Sequence, residues 1–550
     1  MPKTYIFAIG GTGARVMRSL TMLMAAGIDG LTDTICPIII DYDKENGDKL
    51  RAIESMKRYT AVHNIVQAGK AKLDITLTNN KTPFFTPEYK ALYPDWCWDF
   101  TLPDNQKKFK NYIDYDGIGK KAIPTSYLVD TLYDISNNDV YSELNLDMEV
   151  GFQGNPNIGS VVFNELKSDP QFQTFVNDFT PGDKVIVVGS LFGGTGSSGI
   201  PKIISAIRAH NNPTIKAANI SVVFVLPYFA IDVNSKEDIS IKSSIFNSKT
   251  KAALNYYSQS GINDLINNIY YVGDKVPTRV EPHIGSKTQK NNAHIVEMIS
   301  AMAVAHSITI ASNETSTARK YKFNAGNDIE VGIGINELVG TQADWDKNIF
   351  VKNIVHNLIN LVYASRFFLD RVICHKDITS SAFYTDFKFD GLTLTSRSNN
   401  GENKVQDYCA ALYEFICKDI NAEDNPKADG LWQWLTELHD ISHGAHSLKI
   451  FKLSCDEICD VIDGNELRSN KKPFKFVGSS NPTRKPLLTY DIFVAQINIA
   501  IAPYCDGANR ISKKPKDSYP WIFNDILHVM AEEIRKYNEA ELREAFNQIP

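Results

Sequence analysis

The 550-residue chain lacks the features that mark several large classes of protein. No apolar run approaches the length of a membrane span, and the N-terminus has neither the basic start nor the apolar core of a signal peptide. The eight cysteines are scattered, and Cys455 and Cys459 have no second pair or nearby histidine that would complete a zinc set. These absences predict reduced thiols, a cytoplasmic location and no direct insertion into a membrane.

A strongly basic balance is also absent, since the formal net charge is −6 at pH 7. This argues against a nucleic-acid partner, because surfaces that bind nucleic acid carry an excess of lysine and arginine. The apolar content of 43% and the length of the chain instead indicate a globular protein of two or three domains.

The stretch 185–201, VIVVGSLFGGTGSSGIP, is the clearest feature that is present. An apolar, β-branched run at 185–188 predicts a buried parallel strand, and 200–209 has the apolar spacing of a helix. Between them, a glycine-rich turn lets backbone N–H groups approach a phosphate at the positive end of the helix. No G-K-[ST] follows, which excludes a Walker A loop. The segment predicts phosphate binding, and a tight turn with a purely structural role is the alternative.

A similar strand–turn–helix unit begins the chain. A strand is predicted at 5–9 and a glycine turn at 10–13, followed by a helix at 14–26 and a second strand at 35–40. Such a βαβ unit predicts a parallel sheet with a right-handed crossover. Because ligands bind outside the carboxyl ends of parallel strands, we expect this turn and the glycines of 193–199 at one edge of the sheet.

Two acidic residues, Asp41 and Asp43, follow the second predicted strand. Carboxylate oxygens suit Mg²⁺, and we interpret both residues as ligands of an ion that balances phosphate charge. Asp41 also stands where a dinucleotide-binding fold places its ribose-binding acid, which keeps a dinucleotide oxidoreductase as an alternative. Against this, the turn does not complete G-x-G-x-x-G, because Val16 occupies the position of the last glycine. A solvated strand end is the third interpretation.

A second glycine loop, GFQGNPNIG at 151–159, precedes the 185–201 segment. The two loops together resemble the tubulin/FtsZ superfamily, in which FtsZ has G-x-G-x-N-P-x-x-G, then a strand, then G-G-G-T-G-[ST]-G and a helix with an early proline. The matching residues are Gly151, Asn155, Pro156 and Gly159 in the first loop and Gly193, Gly194, Thr195, Gly196, Ser197 and Pro201 in the second. Gly154 stands one place later than the usual second glycine, and Phe192 and Ser198 replace two glycines of the second motif.

The resemblance covers about 1–310, apart from an insertion at about 65–150. It implies a fold of the α/β class, with a Rossmann-like parallel-sheet nucleotide-binding domain of tubulin/FtsZ type and a central helix at about 291–309. Residues 311–550 would form a remodelled α+β C-terminal domain. By the same resemblance, the protein is expected to be bacterial or phage-encoded.

The resemblance also implies the ligand, GTP or GDP with Mg²⁺ held near Asp41 and Asp43. The residues expected to contact the nucleotide are Gly10, Gly11, Thr12, Gly13, Arg15, Gly154, Asn155, Pro156, Gly193, Gly194, Thr195, Gly196, Ser197 and Asn292. Two guanine-contacting asparagines of FtsZ are missing, since Ala14 or Arg15 replaces one and Gly273 the other. Asn292 and His294 are candidates for contacting a base, and capping the central helix is an equal alternative for both.

The function implied is that of a GTPase that hydrolyses nucleotide on self-assembly into filaments or oligomers. In polymerising relatives an acidic loop after the central helix completes the neighbouring subunit's site, and Asp328 and Glu330 are the best candidates for catalytic residues here. One alternative is a non-polymerising, nucleotide-gated interaction protein that works with other proteins of a multi-protein system. The dinucleotide oxidoreductase is the other alternative.

Overall fold

The computed structural model describes residues 2–322 except 28–30, 32–33, 73–83, 101, 103, 122, 134–142, 232–244, 275–277, 281–286, 288 and 310–318. Beyond residue 322 it describes residues 354, 356–369, 397–416, 430–440, 502 and 513–546. Within these residues no helix is long and apolar enough to cross a membrane.

A parallel sheet forms the centre of the described part of the chain. Its strands are β1 (Lys3–Ile9), β2 (Thr34–Ile40), β3 (Cys97–Trp98), β4 (Lys184–Ser190), β5 (Asn219–Val225), β7 (Asn268–Val272) and β9 (Arg319–Lys322). Their order is β3-β2-β1-β4-β5-β7-β9, and every neighbouring pair is parallel. Two short strands, β6 (Phe229–Ile231) and β8 (Thr278–Val280), form a separate parallel pair. The predicted α/β class with a Rossmann-like parallel sheet is confirmed.

The central strands are buried on both faces, which explains their continuous apolar sequences. Alternate residues of β1 enter two different cores: Ile6 and Ala8 join one, and Tyr5, Phe7 and Ile9 join the other. This alternation is the period of two that a strand imposes on its side chains.

Helices cover the two faces of the sheet. The first core is built with α1 (Gly10–Ala25), α2 (Gly47–Lys70) and α11 (Ile295–Thr309). The second core lies under α6 (Pro156–Val162), α7 (Pro170–Asp178), α8 (Gly194–Arg208) and parts of α3 (Phe109–Tyr112), α5 (Ile123–Tyr133) and α10 (Phe246–Gln259). Two further short helices are α4 (Tyr115–Lys121) and α9 (Pro213–Lys216). The helix α11 begins four residues after the predicted start of the central helix at residue 291.

Helices from the C-terminal half of the chain join the hydrophobic core that contains α2. They are α12 (His356–Phe367), α13 (Lys404–Ile416), α14 (Leu431–Asp440) and α15 (Tyr519–Phe546). Both α13 and α15 contact α2 directly, and their apolar residues belong to the same core as α1 and α11. The hydrophobic face of α2 is therefore completed by residues that follow it by several hundred positions.

The first predicted glycine turn, and the second from Gly194 onward, are helical in the structure. The helix α1 starts at Gly10, and α8 starts at Gly194, six residues before the predicted start at residue 200. Glycine is an intrinsically poor helix former, which is why the sequence predicted turns at both places. Tertiary packing overrides that propensity, because a Cβ atom on Gly13 would lie 2.6 Å from the carbonyl carbon of Ala8.

Candidate functional site

A pocket of about 170 Å³ opens at the carboxyl ends of β1 and β4. From β1 the chain crosses over to β2 on one side, whereas from β4 it crosses to β5 on the other. This is the topological switch point, where open parallel sheets bind their ligands. The pocket is lined by Gly10, Gly11, Thr12, Asp41, Asp43, Asn46, Val150, Gly151, Phe152, Gln153, Gly154, Ser190, Phe192, Gly193, Gly194, Thr195, Gly196, Phe229, Phe246, Val280, Gln289 and Asn291.

Two helix N-termini face this pocket. The N-cap residues are Ile9 for α1 and Gly193 for α8, and neither supplies a side-chain hydrogen bond to its helix. The first-turn N–H groups of both helices therefore lack a side-chain cap, and neither first turn contains an acidic residue. Such helix ends attract anions, through their N–H groups and through the helix dipole.

The loop 151–155 supplies a third set of backbone groups. Gly151, Gln153 and Gly154 all have positive φ, at 81°, 44° and 78° respectively. Gln153 and Gly154 are adjacent left-handed residues in a tight turn, which is closed by a hydrogen bond from the backbone N–H of Asn155 to the carbonyl oxygen of Phe152 at 2.8 Å. Gln153 adopts this conformation without being glycine, and strained backbone of this kind clusters at functional sites.

The loops interlock tightly where glycine is required. A Cβ atom on Gly194 would lie 2.8 Å from Cβ of Phe152 and 3.0 Å from the backbone nitrogen of Asn155. A Cβ atom on Gly196 would lie 2.5 Å from the carbonyl oxygen of Ser190. These glycines therefore do more than expose backbone to a ligand, because Gly194 lets the start of α8 contact the loop 151–155 and Gly196 lets it pack on the end of β4.

Asp41 and Asp43 lie at the end of β2 and line the pocket, both buried. Burial raises the pKa of Asp41 to about 7, although Lys49 and a hydrogen bond from the backbone N–H of Asp43 act in the opposite direction. A buried carboxylate with incomplete compensation gains from a nearby cation, and oxygen ligands suit Mg²⁺. Among the described residues no cluster of three or more metal-binding side chains occurs, so an ion here would take its remaining ligands from water and phosphate.

An apolar wall closes another side of the pocket. The ring of Phe192 lies 5.3 Å from that of Phe229 and 5.0 Å from that of Phe246, measured between centroids. Val280 continues the wall. This surface can pack against the non-polar part of a ligand whose charged part lies on the glycine loops.

Lys249, on α10, supports the loop 151–155 from behind, where its Nζ atom donates a hydrogen bond to the carbonyl oxygen of Gly154. Burial lowers the pKa of this lysine, and Glu143 acts in the opposite direction. Nothing in the local sequence marks Lys249, because the hydrogen bond joins residues 95 positions apart.

Several predicted nucleotide-contacting residues do not line the pocket. Asn155 is the N-cap of α6, Pro156 is its first residue, and the Ser197 hydroxyl donates to the carbonyl of Gly193 within α8. Gly13 lies where α1 packs against β1 and β4. Each of these residues shapes a loop or helix that borders the pocket.

Arg15 and Asn292 also lie outside the pocket lining. The Arg15 guanidinium forms an ion pair with Glu297 and donates to the carbonyl oxygen of Asn292 at 2.8 Å. His294 caps α11, because its Nδ1 accepts the backbone N–H of Val296 at 3.1 Å. The predicted catalytic pair, Asp328 and Glu330, lies outside the described residues.

Sequence reasoning did not find the carboxamides of Asn46, Gln289 and Asn291, which line the pocket beside Gly11. Asn46 carries a recognisable signal, since asparagine before a long helical segment is a favoured N-cap. Nothing in the local sequence marks the other two, because their position depends on contacts with α2.

The chain matches no protein-family model and no curated protein.

Proposed function

We propose that the chain is a nucleotide-binding protein of tubulin/FtsZ type, with GTP or GDP as its ligand. The observation that carries this proposal is the convergence of two uncapped helix N-termini and a left-handed loop at the switch point of a parallel sheet. Backbone N–H groups from three separate segments can surround a polyphosphate there. The choice of guanine follows the resemblance of the two glycine loops to FtsZ.

In this proposal each side of the pocket has a role. The loops at 10–13, 151–154 and 193–196 hold the phosphates, and the aromatic wall packs against the nucleoside. Asp41 and Asp43 hold Mg²⁺, which neutralises phosphate charge when bound. The backbone groups hold the phosphates without any titratable side chain, so the pH dependence of nucleotide binding near neutrality should come from Asp41, whose pKa is about 7.

Hydrolysis needs a group that positions water, and the glycine loops supply only charge stabilisation. Asp328 and Glu330 are proposed to supply that group from a neighbouring copy in a homo-oligomer or filament. A bacterial cytoplasmic protein that assembles in this way would turn over nucleotide only when assembled. If the protein binds nucleotide without assembling, other proteins of the same multi-protein system are its candidate partners.

The test is GTP hydrolysis as a function of protein concentration, with sedimentation of the same samples. We expect the rate per molecule to rise with concentration, and to fall at least tenfold in an Asp328→Ala, Glu330→Ala double variant that still binds GTP. A matched control is Asp264→Ala, which removes one carboxylate from the 3₁₀ helix Ile262–Leu265 that precedes β7.

The outcomes separate the alternatives. Binding without turnover or sedimentation would leave a nucleotide-gated interaction protein and overturn the GTPase. A double variant with normal turnover would reject the two acidic residues as catalytic groups. Absence of GTP binding would overturn the nucleotide-binding proposal itself.

A further inference from the structure

Lys287 and residues 289–291 contact the beginning of α2. Three side-chain contacts join the two segments: Lys287 to Glu45 at 3.3 Å, Asn46 to Gln289 at 3.1 Å, and Asn291 to Asp48 at 3.3 Å. A Cβ atom on Gly47 would lie 2.7 Å from the carbonyl oxygen of Gln289, so glycine is needed for this close approach. The position of Gln289 over the pocket is therefore set by α2.

The hydrogen bonds also determine which way the Gln289 amide points. The backbone N–H of Lys49 can only donate, and its acceptor is Oδ1 of Asn46 at 3.1 Å. Asn46 must then present its NH₂ group to Gln289, where Oε1 is the acceptor. Because Oε1 of Gln289 accepts this hydrogen bond, its NH₂ group is left to donate to another partner. Within the described part of the chain this NH₂ group has no protein acceptor.

This remaining donor lies at the N-terminus of α1. Nε2 of Gln289 is 3.8 Å from the position that a Cβ atom would take on Gly11, in the second residue of the helix. An anion bound by the uncapped first turn of α1 would occupy this space. A neutral N–H donor beside it strengthens binding, because hydrogen bonds to charged groups are stronger than those between neutral groups.

We propose that Gln289 is a ligand-contacting residue that donates a hydrogen bond to a phosphoryl oxygen above the N-terminus of α1. Asn46 is a positioning residue for it, since it holds the amide with its donor side toward the pocket. The inference rests on the proposed function, because it names a side-chain contact in the same nucleotide site.

The experiment is a double-mutant cycle measured by calorimetry with two probes, GTP and inorganic tripolyphosphate, each with Mg²⁺. The proteins are the native chain, Gln289→Ala, Asn46→Asp and the double variant. Aspartate preserves the N-cap of α2 but cannot donate, so Gln289 should turn its NH₂ group toward residue 46 and its carbonyl oxygen toward the phosphate. Gln259→Ala is the matched control, since Gln259 ends α10 at the opposite end from the pocket residue Phe246, about 20 Å along the axis.

We expect Gln289→Ala to weaken both probes by roughly tenfold or more, from the loss of a hydrogen bond to a charged group. Asn46→Asp should weaken both probes as well, but clearly less in the Gln289→Ala background than in the native chain. The control should bind like the native chain, and thermal unfolding should show that all variants remain folded.

Each contrary result overturns a defined part of the inference. Unchanged binding by Gln289→Ala rejects the contact while leaving the proposed function standing. A loss confined to GTP assigns the donor to the base or ribose and rejects the phosphoryl contact. If the loss of affinity in the double variant equals the product of the losses in the two single variants, Asn46 is rejected as the positioning residue. A native chain that binds neither probe overturns the proposed function and the inference together.

Discussion

Asp41 is the pocket residue whose charge depends most on its surroundings. Burial holds its pKa at about 7, so at neutral pH the metal-free protein contains both the acid and the carboxylate form. In the unfolded chain the same group titrates near its ordinary value of about 4. The folded protein therefore binds a proton more strongly than the unfolded chain, and its stability falls as pH rises from about 4 to about 7.

Replacing Asp41→Asn should remove this dependence. Without metal or nucleotide, the variant is expected to exceed the native protein in stability by on the order of 4 kcal/mol at pH 8, since one pKa unit corresponds to about 1.36 kcal/mol. The two proteins should be nearly equal at pH 4. Urea unfolding between pH 4 and 8 in the presence of a chelator measures the difference.

The control for this experiment is Asp99→Asn, a carboxylate in an exposed ion pair with Lys44. Its removal should change stability by less than about 1 kcal/mol at any of these pH values. Parallel pH profiles for the native protein and Asp41→Asn would show that Asp41 is not a strained buried acid.

At the residue scale the sequence predicted the glycine loops and the two acidic residues of the pocket, but not its carboxamide side chains. Gly10, Gly11 and Gly193–Gly196 stand in recognisable runs, and Asp41 directly follows an apolar strand. Gln289 could not be found in the same way, because its place is created by Gly47 and Asn46, more than 240 positions earlier.

The first turn of the helix α1 both packs against the sheet and lines the pocket. Its first four residues, Gly10-Gly11-Thr12-Gly13, contain three glycines with different surroundings. Gly13 faces the strands, where a Cβ atom would lie 2.6 Å from Ala8. Gly11 faces the pocket, where the nearest atom to an added Cβ would be the Asn46 amide nitrogen at 3.6 Å.

Alanine at these two positions should therefore have opposite effects. Gly11→Ala is expected to keep or slightly raise stability, because alanine is the better helix former by up to about 1 kcal/mol, yet to weaken GTP binding at least tenfold. Gly13→Ala should lower stability by about 1–3 kcal/mol or more through overpacking. Urea unfolding and calorimetry on the two variants provide the comparison.

Each variant is the control for the other, since both place the same methyl group in the first turn of the same helix. Tight GTP binding by Gly11→Ala would remove the N-terminus of α1 from the phosphate site. A Gly13→Ala protein of native stability would contradict the close packing of α1 on β1.

At the element scale, strands were easier to predict than the starts of helices. The strands β1 and β2 end at residues 9 and 40, as predicted, because a buried strand needs an unbroken apolar run. The starts of α1 and α8 differ from the prediction, because glycine propensity favours a turn and only packing between the loops makes these residues helical.

Across the whole molecule, a buried network of charges joins the pocket to the C-terminal half of the chain. It contains the cations Arg15, Arg18 and Arg51 and the anions Asp48, Glu297 and Glu437. Glu437 lies on α14, binds Arg18 and Arg51, and accepts the backbone N–H of Ala293. Burial alone would raise the pKa of Glu437, but the two arginines lower this pKa to about 2.

Replacing Glu437→Gln should be strongly destabilising. It removes the carboxylate that forms buried ion pairs with both Arg18 and Arg51, and breaking one side of a buried ion pair costs about 3–5 kcal/mol. The matched control is Glu414→Gln, which breaks a half-exposed ion pair with Arg397 and should cost less than about 1 kcal/mol. Urea unfolding at pH 7 compares the two variants with the native protein.

The sign of the pH dependence provides a second check. The lowered pKa of Glu437 stabilises the fold above about pH 4.5, and this contribution is lost as the pH falls toward 2. In the Glu437→Gln protein, this decrease in stability between about pH 4.5 and pH 2 should be absent. Equal stabilities of the Glu437→Gln and Glu414→Gln proteins at pH 7 would show that the network does not hold α14 in place.

At this largest scale the sequence predicted the parallel sheet, but not the contacts between distant parts of the chain. The sequences of α13 and α14 have the apolar spacing of amphipathic helices. That these helices complete the packing of α1 and α2 could not be predicted, because periodicity shows which face of a helix is buried but not its partner.

The charge network also orders events during protein synthesis. Arg18 and Arg51 precede Glu437 by 419 and 386 residues, so a ribosome adding about 5–20 residues per second supplies their counter-ion roughly 20–80 s later. Until then the emerging chain holds three of the network's cations and two of its anions. The complete network can therefore form only on a chain whose translation has passed Glu437.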